Sequence, residues 1–109
     1  MNRSVEDMKT TLDVVCGKWK AVLLLELVET PLRFSEIKKA IPRIPHQTLI
    51  KHLKELEHDG LINRVESDDV PPKVEYSLTS YGYALEPLLQ EMEKWGRVHR
   101  SRSEETIAN

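Results

Sequence analysis

Residues 44–60 read IPHQTLIKHLKELEHDG, and the rest of the chain reads as apparatus for holding this segment out. Leu49, Leu53 and Leu56 recur at i, i+4 and i+7 with Ile50 beside them, a spacing that predicts a helix with one stripe on a core. At about 100° per residue, Gln47, Lys51, Lys54 and His58 fall near the middle of the opposite face, flanked by Thr48 and Glu55. That face is polar without being densely charged. Amphipathic helices commonly turn a merely solvated face outward. Amide, hydroxyl and ammonium groups also suit a major groove, where base edges carry distinct donor and acceptor patterns. The flanking sequence bears on which reading holds.

Upstream, only Pro42, Arg43 and Ile44 separate this helix from a shorter one holding Ile37, Ala40 and Ile41. Ser35 stands where an N-cap belongs, and Pro42 closes the segment. Two short helices joined by a tight turn predict a helix-turn-helix, with Pro45 at the first helical position, where its missing N–H costs nothing. Downstream, Gly60 is a C-cap by type and place. Residues 61–65 and 73–78 then predict two strands, the second alternating Val74, Tyr76 and Leu78 at period two. With the turn-rich loop 66–72 between them they make a wing.

Residues 5–15 place Val5, Met8, Leu12 and Val15 at helical spacing, stopping near Cys16 and Gly17. Residues 19–28, with Trp19, Val22, Leu23, Leu24, Leu25 and Leu27, are apolar on nearly all sides, as a central helix would be. Lys18 and Lys20 mark its start and are expected to extend to solvent. Pro31 ends it, and 32–34 is a short extended piece. Thr79 is placed to cap a last helix over 81–99, bent at Pro87, with Leu85, Leu88, Leu89, Met92 and Trp95 along one face. The wing is too small to cover that stripe, so a second subunit is expected over it, with Leu12 of the first helix in the same two-fold interface. Residues 101–109 read as a frayed polar tail. The fold class is therefore mainly α with a small β-wing (α+β): a winged helix-turn-helix filling one domain, 1–100, and dimerising through its N- and C-terminal helices.

With 109 residues the chain is one small domain, short enough that a partner subunit supplies much of the burial. No apolar run reaches the roughly 18 residues of a membrane span, and the N-terminus lacks a signal-peptide core, so a cytoplasmic protein with no membrane partner is expected. One cysteine excludes an internal disulfide and a zinc cage of its own. The net charge is −2, distributed as −1 over residues 1–32 (four basic, five acidic), +3 over 33–64 (seven basic, four acidic) and −4 over 65–109 (five basic, nine acidic). A phosphate backbone responds to local potential, so positive charge around the candidate helix permits nucleic-acid binding. Enzyme chemistry has no footing: there is no nucleophile with a positioned base, no Gly-rich phosphate loop and no recognisable carboxylate pair. No cofactor is expected. His46, His52 and His58 are separated by about 240° per step at helical pitch and cannot share a face to bind one metal.

Several short pieces carry a family resemblance. They are Gly17-Lys18-Trp19, Arg33-Phe34-Ser35-Glu36-Ile37, Ile41-Pro42-Arg43-Ile44, the run from Leu53 to Ile62 (LKELEHDGLI), the run from Pro71 to Thr79 (PPKVEYSLT), and Gly82. In this order and spacing the chain resembles the HxlR family of bacterial winged-helix transcriptional regulators over roughly residues 10–96. The resemblance implies a homodimer that binds a roughly palindromic operator in double-stranded DNA and represses or activates a nearby gene.

On that footing Gln47, Thr48 and Lys51 are the base-reading candidates, Gln47 preferring adenine and Lys51 guanine. Arg33, Ser35, Lys38, Arg43, His46, Arg64 and Lys73 are candidates for backbone phosphates. Asp68 and Asp69 would repel phosphates, so wing contacts are expected to be few or to come through backbone amides and the prolines. Two departures from the family pattern stand out. Members that sense electrophiles or oxidants carry a cysteine ahead of the first helix, whereas 5–7 has none. Cys16 reads either as a small buried hydrophobe or as a redox sensor whose thiol Lys18 and Lys20 would activate. Pro45 stands where a serine or threonine cap is common. Two other readings differ in class: a winged helix serving only protein–protein assembly, and a regulator gated by a small-molecule effector in a dimer-interface pocket near Trp19, Tyr83 and Trp95.

Overall fold

The computed structural model describes residues 4–108. The first apolar periodicity forms α1 (Val5–Val15), opened by Ser4, whose hydroxyl accepts the Asp7 N–H at 3.0 Å. Helix α2 (Lys20–Glu29) follows and buries Leu23, Leu24 and Leu27. After the short strand β1 (Leu32–Arg33) come α3 (Phe34–Ala40) and α4 (His46–His58), then strands β2 (Ile62–Glu66) and β3 (Val74–Leu78), the one-turn α5 (Ser80–Tyr83) and the long α6 (Glu86–Ala108). The sheet is antiparallel in the order β1-β3-β2, with Leu32 opposite Tyr76 and Ile62 opposite Leu78. One face of β3 therefore delivers Tyr76 and Leu78 to the core. The architecture is the winged helix-turn-helix expected from the sequence, with the wing gaining β1 as a third strand.

The core gathers Leu23, Leu24 and Leu27 of α2, Ile37 of α3, Leu49, Leu53 and Leu56 of α4, and Leu89 of α6. Burying each such leucine stabilises the fold by roughly 1.5–3 kcal/mol, so the inner faces of four helices fix one another. The exit of α4 is a Schellman turn: Gly60 stands at φ 76°, its N–H donates to the Glu57 carbonyl at 3.0 Å, and the Leu61 N–H donates to the Leu56 carbonyl at 3.0 Å. The Thr79 hydroxyl donates to the Gly60 carbonyl at 2.6 Å and accepts the Gly82 N–H at 2.9 Å, joining the end of the wing to that turn. Gly82 lies so close beneath it that an added Cβ would collide with the Leu61 carbonyl.

Several expectations change. Ser35 is not the cap of α3: the helix begins at Phe34, and the Arg33 N–H donates to the Glu36 carboxylate at 2.8 Å, leaving Ser35 exposed within the first turn. Pro45 is the N-cap of α4 rather than its first helical residue. The last helix is two helices, broken at Ala84 and Leu85, and Pro87 falls in the first turn of α6, where no N–H is missed. Helix α6 then continues through the stretch expected to be a tail as far as Ala108, with no proline or glycine after Gly96 to stop it. Residues 1–3 and Asn109 lie outside the described residues. No helix among the described residues is long and apolar enough to cross a membrane.

Candidate nucleic-acid interface

The short link Ile41–Pro45 seats α4 by burying Ile41 and Ile44, while Pro42 and Arg43 stay exposed. With Leu49, Leu53 and Leu56 inward, Gln47 and Lys51 are exposed on the opposite face and Thr48 is half-buried beside them. The side chains of Gln47 and Thr48 form no hydrogen bond with other described residues, and their donors and acceptors are unspent. Arg43 likewise has no ion pair among the described residues, so the turn ahead of α4 presents an uncommitted guanidinium.

A second group lies where α3 meets the start of α4. The Phe34 ring meets His46 edge-on at 5.5 Å between centroids, and the Lys38 ammonium is 3.1 Å from His46 Nδ1 and 5.9 Å from the Phe34 ring centre. An ammonium has no acceptor, so the short distance requires Nδ1 to be the bare, accepting nitrogen. The imidazole N–H is then on Nε2.

The wing is less favourable to an anion. Arg33 and Lys73 line one shallow hollow there together with Asp69 and Glu75, and the Arg33 guanidinium is 3.6 Å from the Glu36 carboxylate. Arg64 is 3.8 Å from Glu66. Ser67 organises the loop through its hydroxyl, which accepts the Lys73 N–H at 2.9 Å.

Lys20 departs most from expectation. It does not extend to solvent: it is 7% exposed, and its ammonium lies 2.6 Å from Glu55 Oε2 on α4. Its hydrogen bond holds the Glu55 carboxyl below the usual carboxylate range. Glu55 Oε1 is in turn 4.0 Å from the Lys51 ammonium. His52 sits half-buried in the same turn with Nδ1 buried and unpartnered, and burial pushes its pKa below 6.5, assisted by the charges of Lys20 and Lys51 and opposed by Glu55. Periodicity puts Glu55 at the flank of the outer face but gives no sign of its contact with Lys20, which lies on another helix.

Cys16 is exposed after α1, not buried. Lys18 lies over the Trp19 ring at 5.2 Å and Lys20 is committed to Glu55, so both lysines invoked for a sensor are engaged elsewhere. The apolar hollow between α1, the end of α4 and α5 encloses about 340 Å³ and is lined in part by Val14, Val15, Leu61 and Tyr81. Trp19, Tyr83 and Trp95 do not line it, and Trp95 instead stacks on His99 at 4.9 Å.

Among the residues expected at a subunit interface, Leu89 is buried within this chain and Leu85 is packed against its core. Leu12, Leu88, Met92 and Trp95 are 43, 39, 41 and 68% exposed. Val5, Met8 and Val98 extend the same uncovered apolar character along α1 and α6.

A helix-turn-helix with a wing and an outward polar face on its second helix defines a winged-helix transcriptional regulator. The model of the HxlR-like helix-turn-helix family matches residues 14–104, and the chain belongs to that family. The uncharacterized HTH-type transcriptional regulator YdeP of Bacillus subtilis (strain 168) is 46% identical over 95 residues, covering 87% of this chain and 74% of its own length. YtcD of the same organism, also an HTH-type transcriptional regulator, is 46% identical over 101 residues, 93% of this chain and 78% of its own. Among solved structures, the redox regulator HypR in its reduced form superposes with a TM-score of 0.85 at 41% identity, covering 91% of this chain and 98% of that one.

Proposed function

We propose that the chain regulates transcription by binding double-stranded DNA as a homodimer, with α4 in the major groove of each half of a roughly palindromic operator. The observation that carries this reading is the division of α4: Leu49, Leu53 and Leu56 are buried while Gln47 and Lys51 stand exposed on the far side. Gln47, Thr48 and Lys51 read base edges. Arg43 and the Lys38–His46 pair hold phosphates at the front of the helix, and Ser35 with Arg33, Arg64 and Lys73, which lie among carboxylates, plays a smaller part. Residues 1–100 carry both tasks, because α1 and α6 expose the apolar stripe that a second copy covers. Two copies then set their α4 helices about one duplex turn, roughly 34 Å, apart.

The test is binding to duplexes enriched from a random pool by the wild-type chain. Lys51→Ala lowers affinity by about 1–3 kcal/mol and relaxes base choice at one position in each half-site. Arg43→Ala weakens binding to all duplexes about equally and reduces the steepness of the salt dependence by about one unit. Unchanged binding in both variants overturns the assignment.

A further inference from the structure

The contact between Lys20 and Glu55 sits in an unusual place. A lysine at the first turn of a helix faces the positive end of the helix dipole, and one that is 7% exposed has also lost most of its water. Glu55 is the only carboxylate that compensates it among the described residues. Viewed from α4, the same carboxylate is equally unexpected. It stands on the flank of the outward face, one turn beyond Lys51, where an unneutralised negative charge would repel a phosphate backbone and capture the Lys51 ammonium. An ion pair with one partner out of water is weak evidence for stability, because desolvation offsets much of the attraction.

We infer that Lys20, which cannot reach DNA itself, is a specificity-determining positioning residue: it neutralises Glu55 from inside the core and so leaves the Lys51 ammonium oriented but free to meet a base. The geometry supports this division of the carboxylate. Oε2 is held by Lys20 at 2.6 Å, while Oε1 stands 4.0 Å from Lys51, near enough to bias its direction and too far for a hydrogen bond. The depressed pKa of Glu55, caused first by the Lys20 hydrogen bond, agrees that its charge is already satisfied from within. Helix α2 also packs against α6, so the polar tie runs from the buried centre of the subunit to the reading face.

This inference rests on the DNA-binding reading, and its test separates the two. Wild type, Lys20→Met, Glu55→Gln and the double variant are each run against a random duplex pool, and then titrated with the duplex the wild type enriches. Thermal melting of each variant reports folding. Lys20→Met is expected to bind that duplex about tenfold more weakly and to lose base preference at the position that Lys51→Ala also relaxes. The double variant, with no carboxylate left to capture Lys51, is expected to regain most of that preference. In a Lys51→Ala background, Lys20→Met should change base preference no further, which a loss of structure alone would not predict. If the wild type enriches no sequence, the DNA reading itself falls and takes the inference with it. If it enriches one and Lys20→Met retains the same preference, or the double variant fails to recover it while melting as the wild type does, the inference is wrong and the DNA reading stands.

Discussion

Helices α4 and α6 are both amphipathic, yet a single subunit completes only one of them. On α4 every inward leucine is at most 2% exposed, and the outward face is polar. On α6 the apolar stripe is divided: Leu89 is 2% exposed against α2, while Leu88, Met92, Trp95 and Val98 range from 39 to 68% exposed alongside the uncovered Leu12 of α1. Exposed apolar side chains gathered on one side of a small domain are uncommon unless something covers them. The contrast shows which apolar residues build the core of this chain and which it leaves exposed.

The contrast can be broken first at its strongest point. Leu53→Ala opens a cavity beneath α4 and is expected to destabilise the chain by about 2–5 kcal/mol, read as a lower denaturant midpoint with little change in slope. The uncovered stripe should behave in the opposite way. Met92→Glu is expected to leave the subunit's own stability within about 0.5 kcal/mol but to weaken self-association by about 2 kcal/mol or more, read by sedimentation over a concentration series. If Met92→Glu unfolds the chain, or sedimentation finds only single subunits in the wild type, the division between the two helices is misdrawn.

The smallest effect sharpens the comparison from the α4 side. Burial lowers the pKa of His52 below 6.5, so the folded state prefers it neutral. Its contribution to stability is complete above that value and is lost as pH falls through the lowered folded value, because the unfolded chain then binds the extra proton. Glu55, also lowered, adds a loss in the same direction at more acid pH, below its ordinary 4.5. Melting temperature should therefore decline on acidification below about pH 6.5, and His52→Gln should flatten the upper part of that decline. A curve of unchanged shape in the variant would remove His52 from the account.

Legibility followed how local the cause was. The α1 boundaries, the buried stripe of α4, the Gly60 turn and the alternation of β3 are set by residues within a turn or two, and periodicity located them. The break between α5 and α6 escapes periodicity, because Pro87 inside an apolar repeat reads as a bend. The chain instead closes α5 by donating the Leu85 N–H to the Gly82 carbonyl at 3.0 Å and starts a new helix, whose first turn is closed by the Leu89 N–H donating to the Leu85 carbonyl at 2.9 Å. At the candidate interface the outward placement of Gln47 and Lys51 was legible from helical winding. Cys16 could not be placed: burial depends on what packs against a residue, and nothing near it in sequence reports that.

The sequence by itself determined the order of elements, the helix-turn-helix and its wing, the family, and the face of α4 that points outward, because spacing, caps and turn residues act over short range. Only the tertiary structure decided that Lys20 is buried against Glu55 and that Leu89 is buried while Met92 and Trp95 stay exposed. Those outcomes depend on pairs far apart along the chain, and their partners are chosen by packing rather than by period.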